Sequence, residues 1–197
     1  MHKLFGIISI ALLAAPLAVA QQNQSQNQVF TSGSADEAQL VKEIRHNLLM
    51  LPYFSIFDDI SFKLNGTVVT LEGACPPTPP WDIKSAAGDA AKQAKGVTQV
   101  INNIKELPLS PMDDQIRQAL AKAIYGDPQI GTRYGNQALP SIHIIVENGH
   151  VTLKGVVDNQ MDDTMIKMRA NQVPNVFSVT DDLQVLNAGK TKEKPGI

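Results

Sequence analysis

Apolar residues along this chain recur in short blocks whose spacing changes from helical to extended. Leu40, Ile44 and Leu48 are four residues apart, which places them on one face of a helix that ends before Pro52. Beyond that proline, apolar residues alternate with polar ones, as is typical of a strand with one buried face. The pattern therefore predicts an amphipathic helix followed by strands.

This helix-and-strand pattern occurs twice. Residues 65–73 (NGTVVTLEG) are echoed by residues 148–155 (NGHVTLKG). The preceding apolar stripe recurs 76 positions on, so that Leu40 matches Ile116, and the apolar residues of a closing strand recur 79 positions on. Three blocks in the same order indicate two copies of one module. The predicted domains cover residues 35–107 and 108–187.

Each copy is predicted to contain a helix, a hairpin, a second helix and a strand. Asn-Gly is a strong signal for a hairpin turn and occurs at Asn65-Gly66 and at Asn148-Gly149. The predicted cross-strand pairs are Leu64–Thr67, Phe62–Val69 and Ile60–Leu71 in the first copy, and Val146–Val151, Ile144–Leu153 and Ile142–Gly155 in the second. One face of each sheet is then apolar and the other mostly polar. The fold class is α+β: two tandem small modules, each a short mixed sheet with two helices packed on one face.

The second helices differ between the copies. In the first, Ile83, Ala86, Ala87, Ala90 and Ala94 are predicted to face inward in a helix that begins after Asp82 and is stopped by Gly96. In the second, Asp158 is the predicted cap, and Met161, Met165 and Met168 form one stripe. Closing strands are predicted over residues 97–104 and 176–185. The recurring glycines are interpreted as structural turn and packing residues: Gly66, Gly73, Gly96, Gly149 and Gly155.

The first twenty residues have the order of a secretory signal peptide. Lys3 precedes an almost wholly apolar run over residues 4–15, and small residues end at Ala20. The alternative is an uncleaved anchor, although the apolar run is shorter than the roughly 20 residues that span a membrane. Because Gln21 rather than cysteine follows the cleavage point, a lipoprotein is excluded. We expect a periplasmic protein with a Gln/Asn-rich flexible segment over residues 21–34 and a flexible tail over residues 188–197.

Composition excludes several classes of protein. The 197 residues carry 17 basic and 19 acidic side chains, a net charge of −2, and a single cysteine. This balance disfavours a nucleic-acid-binding protein, which normally has a basic face. One cysteine cannot form an intramolecular disulfide or a cysteine-rich zinc site.

The repeated blocks resemble the BON domain, which is named for its occurrence in bacterial osmotic-stress and nodulation proteins. The family core, Asn-Gly-x-Val-x-Leu-x-Gly followed by Gly-Val-x-x-Val, is matched with one extra residue at 65–73 and again at 148–155. The second copy has Asn175-Val176 in place of Gly-Val, and the proline-rich residues 75–80 are atypical. The order of an export signal and two such domains is similar to that of osmotically inducible periplasmic proteins. The resemblance implies an α+β envelope module that binds phospholipid surfaces or envelope partners.

Candidate catalytic and metal-binding residues are few. Cys75 precedes four prolines within five residues and is expected to be an exposed thiol without a function. His143, His150 and Glu147 share one hairpin face, but the register sets His143 opposite Lys154, which favours surface cross-strand pairs over a metal site. Four Asp-Asp pairs lack the spacing of a calcium loop: Asp58-Asp59, Asp113-Asp114, Asp162-Asp163 and Asp181-Asp182. The sequence predicts no enzyme, no cofactor and no metal.

Two features favour binding. Trp81, the only tryptophan, suits a membrane headgroup layer or a protein interface, or else packs between the two modules. Lys84, Lys92 and Lys95 on the following helix supply positive charge, and Met161, Met165 and Met168 are either core or an adaptable contact surface. The predicted function is a non-catalytic envelope interaction module that binds phospholipid surfaces or envelope partners, in envelope or osmotic stress protection. The alternative is a soluble periplasmic protein that binds a protein partner or a small ligand, for which an apolar groove between the modules would be evidence.

Overall fold

The structure is a computed structural model that describes residues 36–137 and 139–186. The predicted signal peptide, the Gln/Asn-rich segment over residues 21–34 and the tail over residues 188–197 lie outside the described residues. From Leu40 onward, the described chain belongs to one compact unit. It contains two similar α+β domains in tandem.

The first domain contains a four-stranded mixed sheet and two helices. Its elements are α1 (residues 36–49), β1 (Asp59–Asn65), β2 (Val68–Cys75), α2 (Ile83–Lys92), β3 (Gln99–Asn102) and β4 (Lys105–Glu106). Strand β1 pairs with β2 in antiparallel orientation, while β3 and β4 both pair with β2 in parallel. The Asp82 side chain caps α2 by accepting a hydrogen bond from the Ser85 amide.

The second domain repeats this order with a three-stranded sheet. Its elements are α3 (Pro111–Tyr125), α4 (Pro128–Ile130), a π-helical turn (Gly131–Gly135), β5 (Ile142–Glu147), β6 (His150–Val157), α5 (Gln160–Asn171) and β7 (Ser178–Val185). The sheet order is β5-β6-β7, with β5 antiparallel and β7 parallel to β6. Pro111 lies in the first turn of α3, and the Ser110 side chain caps it.

Each domain has its own apolar core between the helices and one face of the sheet. The first core includes Leu40, Ile44 and Leu48 of the predicted α1 stripe, together with Val69 and Leu71 of β2. The second core is built in the same way from α3, α5 and the inward residues of β5 and β6. The predicted fold class, two tandem α+β modules with helices on one face, is confirmed.

The predicted hairpin register is confirmed in the second domain and wrong in the first. Asn148 and Gly149 both have positive φ, at 52° and 76°, as a type I′ turn requires, and Val146 faces Val151. In the first domain, Leu64 faces Val69 rather than Thr67, because Gly66 and Thr67 form the turn and only Gly66 has positive φ. Each residue of β1 thus pairs with a residue of β2 two positions further on than predicted. Because side chains alternate between the two faces of a strand, a shift of two residues leaves every side chain on its predicted face.

The ends of the second helices also differ from the prediction. Helix α2 ends at Lys92, and Gly96 lies in the following loop with φ at +107°. Helix α5 is capped by Asn159 rather than Asp158. The closing strands β3 and β7 both begin two residues later than predicted.

The methionine stripe of α5 does not form its buried face. Met161 and Met168 are more than half exposed, and Met165 alone packs against the core. Ile166 and Ala170 are the buried apolar residues of α5. The core stripe is therefore offset by one position from the methionines, which on a helix is about 100° of rotation.

Cys75 is buried, contrary to the prediction of an exposed thiol. It is the last residue of β2, where its partner is Glu106 of β4, and it packs in the first core. Burial raises the pKa of its thiol to about 11. The thiol is therefore protonated at neutral pH and is a poor nucleophile.

Two of the repeated glycines are required by close backbone contacts. Gly73 and Gly155 have φ of +124° and +129°, which L side chains rarely adopt. A Cβ at Gly73 would lie 1.9 Å from the Asp59 carbonyl oxygen, and one at Gly155 would lie 1.9 Å from the Ser141 carbonyl oxygen. These glycines allow the start of one hairpin strand to approach the end of the other in both domains.

Candidate interaction surface

The exposed feature that stands out in the first domain is a pair of stacked aromatic rings. The rings of Tyr53 and Trp81 are 4.2 Å apart between centroids and 20° from parallel. Their residues are 55% and 49% exposed, so Trp81 is not buried between the domains. We call Tyr53 and Trp81 the aromatic pair.

Local backbone structure fixes the aromatic pair. The Trp81 amide donates a hydrogen bond of 2.7 Å to the Thr78 carbonyl oxygen, which closes a turn just before α2. Tyr53 has φ at +67°, a left-handed conformation that is costly for a residue with a large side chain. Strained residues of this kind persist where their surroundings impose them, and here the strain accompanies an exposed ring.

The three lysines predicted to accompany Trp81 do not form one cluster. Lys84 lies in the first turn of α2, three residues after Trp81, and is half-buried. Lys92 is exposed at the other end of α2, about 12 Å further along the helix axis. Lys95 lies beyond the helix, where its amide donates to the Glu43 carboxylate. Of the three, Lys84 is the nearest to Trp81 along the chain.

The segment that follows Tyr53 contacts the second domain. The Ile144 amide of β5 donates a hydrogen bond of 2.7 Å to the Ile56 carbonyl oxygen. Ile56 and Phe57 also pack against the core of the second domain. His143 Nδ1 lies 2.6 Å from the Asp58 carbonyl oxygen, to which it donates. We call residues 54–58 the interdomain segment.

Polar side chains of the second hairpin extend this contact. Lys154 forms an ion pair of 2.6 Å with Asp59, and Glu147 forms one of 2.6 Å with Lys105. The predicted register, with His143 opposite Lys154 and Glu147 opposite His150, is confirmed. Three of these side chains, His143, Lys154 and Glu147, nevertheless bond to the first domain. His150 stays within the second domain, where its Nδ1 lies 2.7 Å from the Ser178 hydroxyl.

Asp58 forms a buried turn within the interdomain segment. Its Oδ2 accepts hydrogen bonds from the Ser55 amide at 2.8 Å and the Ser55 hydroxyl at 2.9 Å. Its Oδ1 is buried and has no hydrogen-bond partner among the described residues. Burial raises the pKa of this carboxyl, although the Ser55 hydrogen bonds and the charges of His143 and Arg117 lower it.

The other buried aspartates are bound within the second domain. Asp113 accepts hydrogen bonds from the amides of Asn148 and Gly149, at 2.9 and 2.8 Å, and so ties the hairpin turn to α3. Asp162 accepts from Arg133 and from the Tyr134 hydroxyl. Within residues 36–137 and 139–186, no group of three or more His, Cys, Asp or Glu side chains is placed to hold a metal ion. In the same ranges, no helix is long and apolar enough to span a bilayer.

The chain belongs to the BON domain family. The model of the family matches residues 36–108 and again residues 112–187, which together exceed half of the chain. BON domains are associated with binding of phospholipid membranes and with roles in the cell envelope, and the family is generally non-catalytic. No curated protein matches the chain at a significant level.

The chain is similar to two solved structures at low sequence identity. Both are of CdsD, a structural protein of the type III secretion system of Chlamydia trachomatis. One is 13% identical, covers 80% of this chain and 100% of its own, and has a TM-score of 0.29. The other, the C-terminal domain, is 13% identical, covers 75% and 97%, and has a TM-score of 0.31. Neither likeness bears on the fold or function of this chain.

The buried Asp58 carboxyl gives a pH-dependent prediction. Because its folded pKa is raised above 3.8, ionisation of Asp58 disfavours the folded state, and this cost is complete above the folded pKa. Asp58→Asn should therefore increase the free energy of unfolding at neutral pH. The gain should shrink as the pH falls through the folded pKa, where wild-type Asp58 is protonated. Urea unfolding of both proteins at a series of pH values from neutral to acidic measures the gain in stability and its decrease with falling pH.

Asp59→Asn is the matched control, because Asp59 is adjacent but forms a partly exposed ion pair with Lys154. Loss of that pair should lower stability by about 0–1 kcal/mol at neutral pH. An Asp58→Asn variant less stable than wild type at neutral pH would show that the carboxylate is favourable in its charged form.

Proposed function

We propose that this protein is a non-catalytic envelope module that binds phospholipid membrane surfaces through the aromatic pair. The observation that carries the proposal is the stacking of Tyr53 on Trp81 with both residues about half exposed. An indole or phenol ring has an apolar body and a polar edge, which suits the layer between lipid headgroups and acyl chains. The BON family's association with phospholipid membranes supports the same ligand.

The surroundings of the aromatic pair support an apolar contact more than an electrostatic one. Leu49 and Met50, which precede Tyr53 by four and three residues, are 52% and 68% exposed. Lys84 is the nearest basic residue in the chain, worth about 1 kcal/mol against an anionic surface. Asp82 directly follows Trp81, and its carboxylate accepts hydrogen bonds from Ser85. These hydrogen bonds lower the pKa of Asp82 and keep it negatively charged. We therefore expect membrane binding to depend mainly on the rings.

Trp81 fluorescence tests the proposal, since Trp81 is the only tryptophan. Adding phosphatidylcholine vesicles should shift its emission to the blue, because the indole leaves water. Adding the anionic lipid phosphatidylglycerol to the vesicles should increase the affinity modestly. High salt should remove this additional affinity and leave the binding to phosphatidylcholine unchanged. Tyr53→Gly should weaken binding without loss of stability, because glycine adopts positive φ freely.

Phe177→Ala is the matched control, because Phe177 is an exposed aromatic residue of the second domain, at 75%. It should leave vesicle affinity unchanged and retain the Trp81 signal. Trp81→Ala, assayed by co-sedimentation, should lower the affinity for vesicles. Its loss of folding stability should be smaller than the loss of about 3–5 kcal/mol that follows when a fully buried aromatic residue is replaced by alanine. If the emission wavelength of Trp81 stays unchanged when vesicles are added, at low salt and at high salt, the proposal is contradicted. That result would favour the alternative, a soluble protein that binds a protein partner or a small ligand.

Export to the periplasm and a role in envelope or osmotic stress protection complete the proposal. Export is supported by the signal-peptide pattern over residues 1–20, which lies outside the described residues. N-terminal sequencing of protein from the periplasmic fraction should give Gln21 as the first residue. Recovery of uncleaved protein from the cytoplasm alone would contradict it.

A further inference from the structure

The two Asn-Gly hairpin turns have the same sequence but different surroundings. Asn65 and Gly66 are exposed at the tip of the first hairpin, and a Cβ built on Gly66 would meet no atom within 4 Å. Asn148 is also exposed, but Gly149 is buried, and a Cβ there would lie 2.7 Å from the Phe177 ring. Solvent therefore reaches the Gly66 backbone, whereas the Phe177 ring covers that of Gly149.

Hydrogen bonds add to this difference between the turns. The Gly149 amide donates a hydrogen bond of 2.8 Å to Asp113 Oδ1, and the Asn148 amide donates one of 2.9 Å to Asp113 Oδ2. Asp113 is 1% exposed, so water does not compete for these bonds. In the first domain the equivalent residue of α1 is Glu37, which is exposed. A buried carboxylate thus holds the second turn at the position where the first domain has an exposed side chain.

The contacts of the first turn are made by Thr67. Its carbonyl oxygen accepts a hydrogen bond of 2.9 Å from the Thr98 amide, and the hydroxyls of Thr67 and Thr98 are 2.8 Å apart. Neither contact involves the Gly66 amide. The first turn is therefore anchored without occupying the amide that follows Asn65.

An Asn-Gly pair carries a reaction that depends on this amide. The glycine nitrogen, once it has lost its proton, attacks Cγ of the preceding asparagine, and no side chain on glycine hinders the approach. The new N–Cγ bond closes a five-membered succinimide, the bond from Cγ to Nδ2 breaks, and ammonia leaves. Water then opens the ring at either carbonyl and gives aspartate or isoaspartate. The reaction consumes only water and needs no oxidant or cofactor.

We propose that Asn65 is a site of spontaneous deamidation and that Asn148 is protected from the same reaction. At Gly66 the amide is accessible to hydroxide, which takes the proton. At Gly149 the proton is held in the bond to Asp113, and the negative charge of that carboxylate disfavours a deprotonated nitrogen beside it. The proposal does not involve the aromatic pair and so stands independently of the proposed membrane contact.

Deamidation changes the first hairpin in two ways. Aspartate at position 65 adds a negative charge at the tip, and isoaspartate also inserts a methylene group into the main chain. Asn65 pairs with Val68 and closes the turn between β1 and β2. The inserted methylene lengthens the main chain at this closing pair, so we expect the isoaspartate form to have a less stable hairpin.

Peptide mass spectrometry of the folded full chain tests the assignment. Trypsin separates the two sites, because cleavage after Lys63 and after Lys154 leaves Asn65 and Asn148 in different peptides. At mildly alkaline pH, Asn65 should gain the mass that accompanies replacement of NH2 by OH at least tenfold faster than Asn148, with fragment ions assigning the position. In concentrated urea the two rates should converge, because both asparagines precede glycine. Equal rates in the folded chain, or a faster rate at Asn148, would overturn the proposal.

Substitutions test the protecting role of Asp113. Asp113→Ala removes the acceptor of the Gly149 amide and should accelerate deamidation of Asn148, with thermal unfolding used to verify the fold. Met112→Ala is the matched control, because Met112 is the preceding residue of α3 and is 52% exposed, and it should leave both rates unchanged. Asn65→Gln should abolish the change at position 65, since glutamine must close a six-membered ring. An unchanged rate at Asn148 in folded Asp113→Ala would contradict the role given to Asp113.

Discussion

The contact of the interdomain segment with strand β5 is the interaction on which the arrangement of this protein depends. Ile56 and Phe57 leave the first domain and pack on the core of the second, while the Ile56 carbonyl oxygen pairs with the Ile144 amide. Full burial of side chains of this size is worth about 1.5–3 kcal/mol each, and partial burial correspondingly less. The accompanying ion pairs, Lys154–Asp59 and Lys105–Glu147, are partly exposed and contribute about 0–1 kcal/mol each. Apolar packing is therefore the larger contribution, and the ion pairs define the orientation.

The same contact determines how the candidate membrane surface is presented. Tyr53 immediately precedes Phe54, whose ring centroid lies 6.0 Å from that of His143 in β5. The stretch between α1 and β1 therefore carries an exposed ring at one end and a docked segment at the other. Since the aromatic pair is stacked, holding this stretch against β5 also holds Trp81 in place. A fixed pair loses little conformational freedom when it enters a headgroup layer.

Local periodicity predicted the fold because each domain repeats the same amphipathic elements. Leu40, Ile44 and Leu48 are buried as their spacing implies, and Asn148-Gly149 forms the predicted turn. The first register was missed because Asn-Gly is compatible with more than one two-residue turn. The methionine stripe of α5 has helical spacing but polar Asp162 and Asp163, bound to local partners, occupy the buried face beside Ile166. The interdomain segment has no repeat and no period, so the only signal for it was the apolar pair Ile56-Phe57 between helix and strand.

Hydrogen exchange of the Ile144 amide tests the interdomain contact most directly. This amide donates to the Ile56 carbonyl oxygen at 2.7 Å, so its protection reports docking of the segment. The account predicts that Ile144 exchanges as slowly as the amides paired between β5 and β6, and that replacing Ile56 and Phe57 by serine accelerates Ile144 while leaving those amides protected. Rapid exchange of Ile144 in the wild-type protein, with β5 and β6 protected, would show that the two domains are not held by this segment.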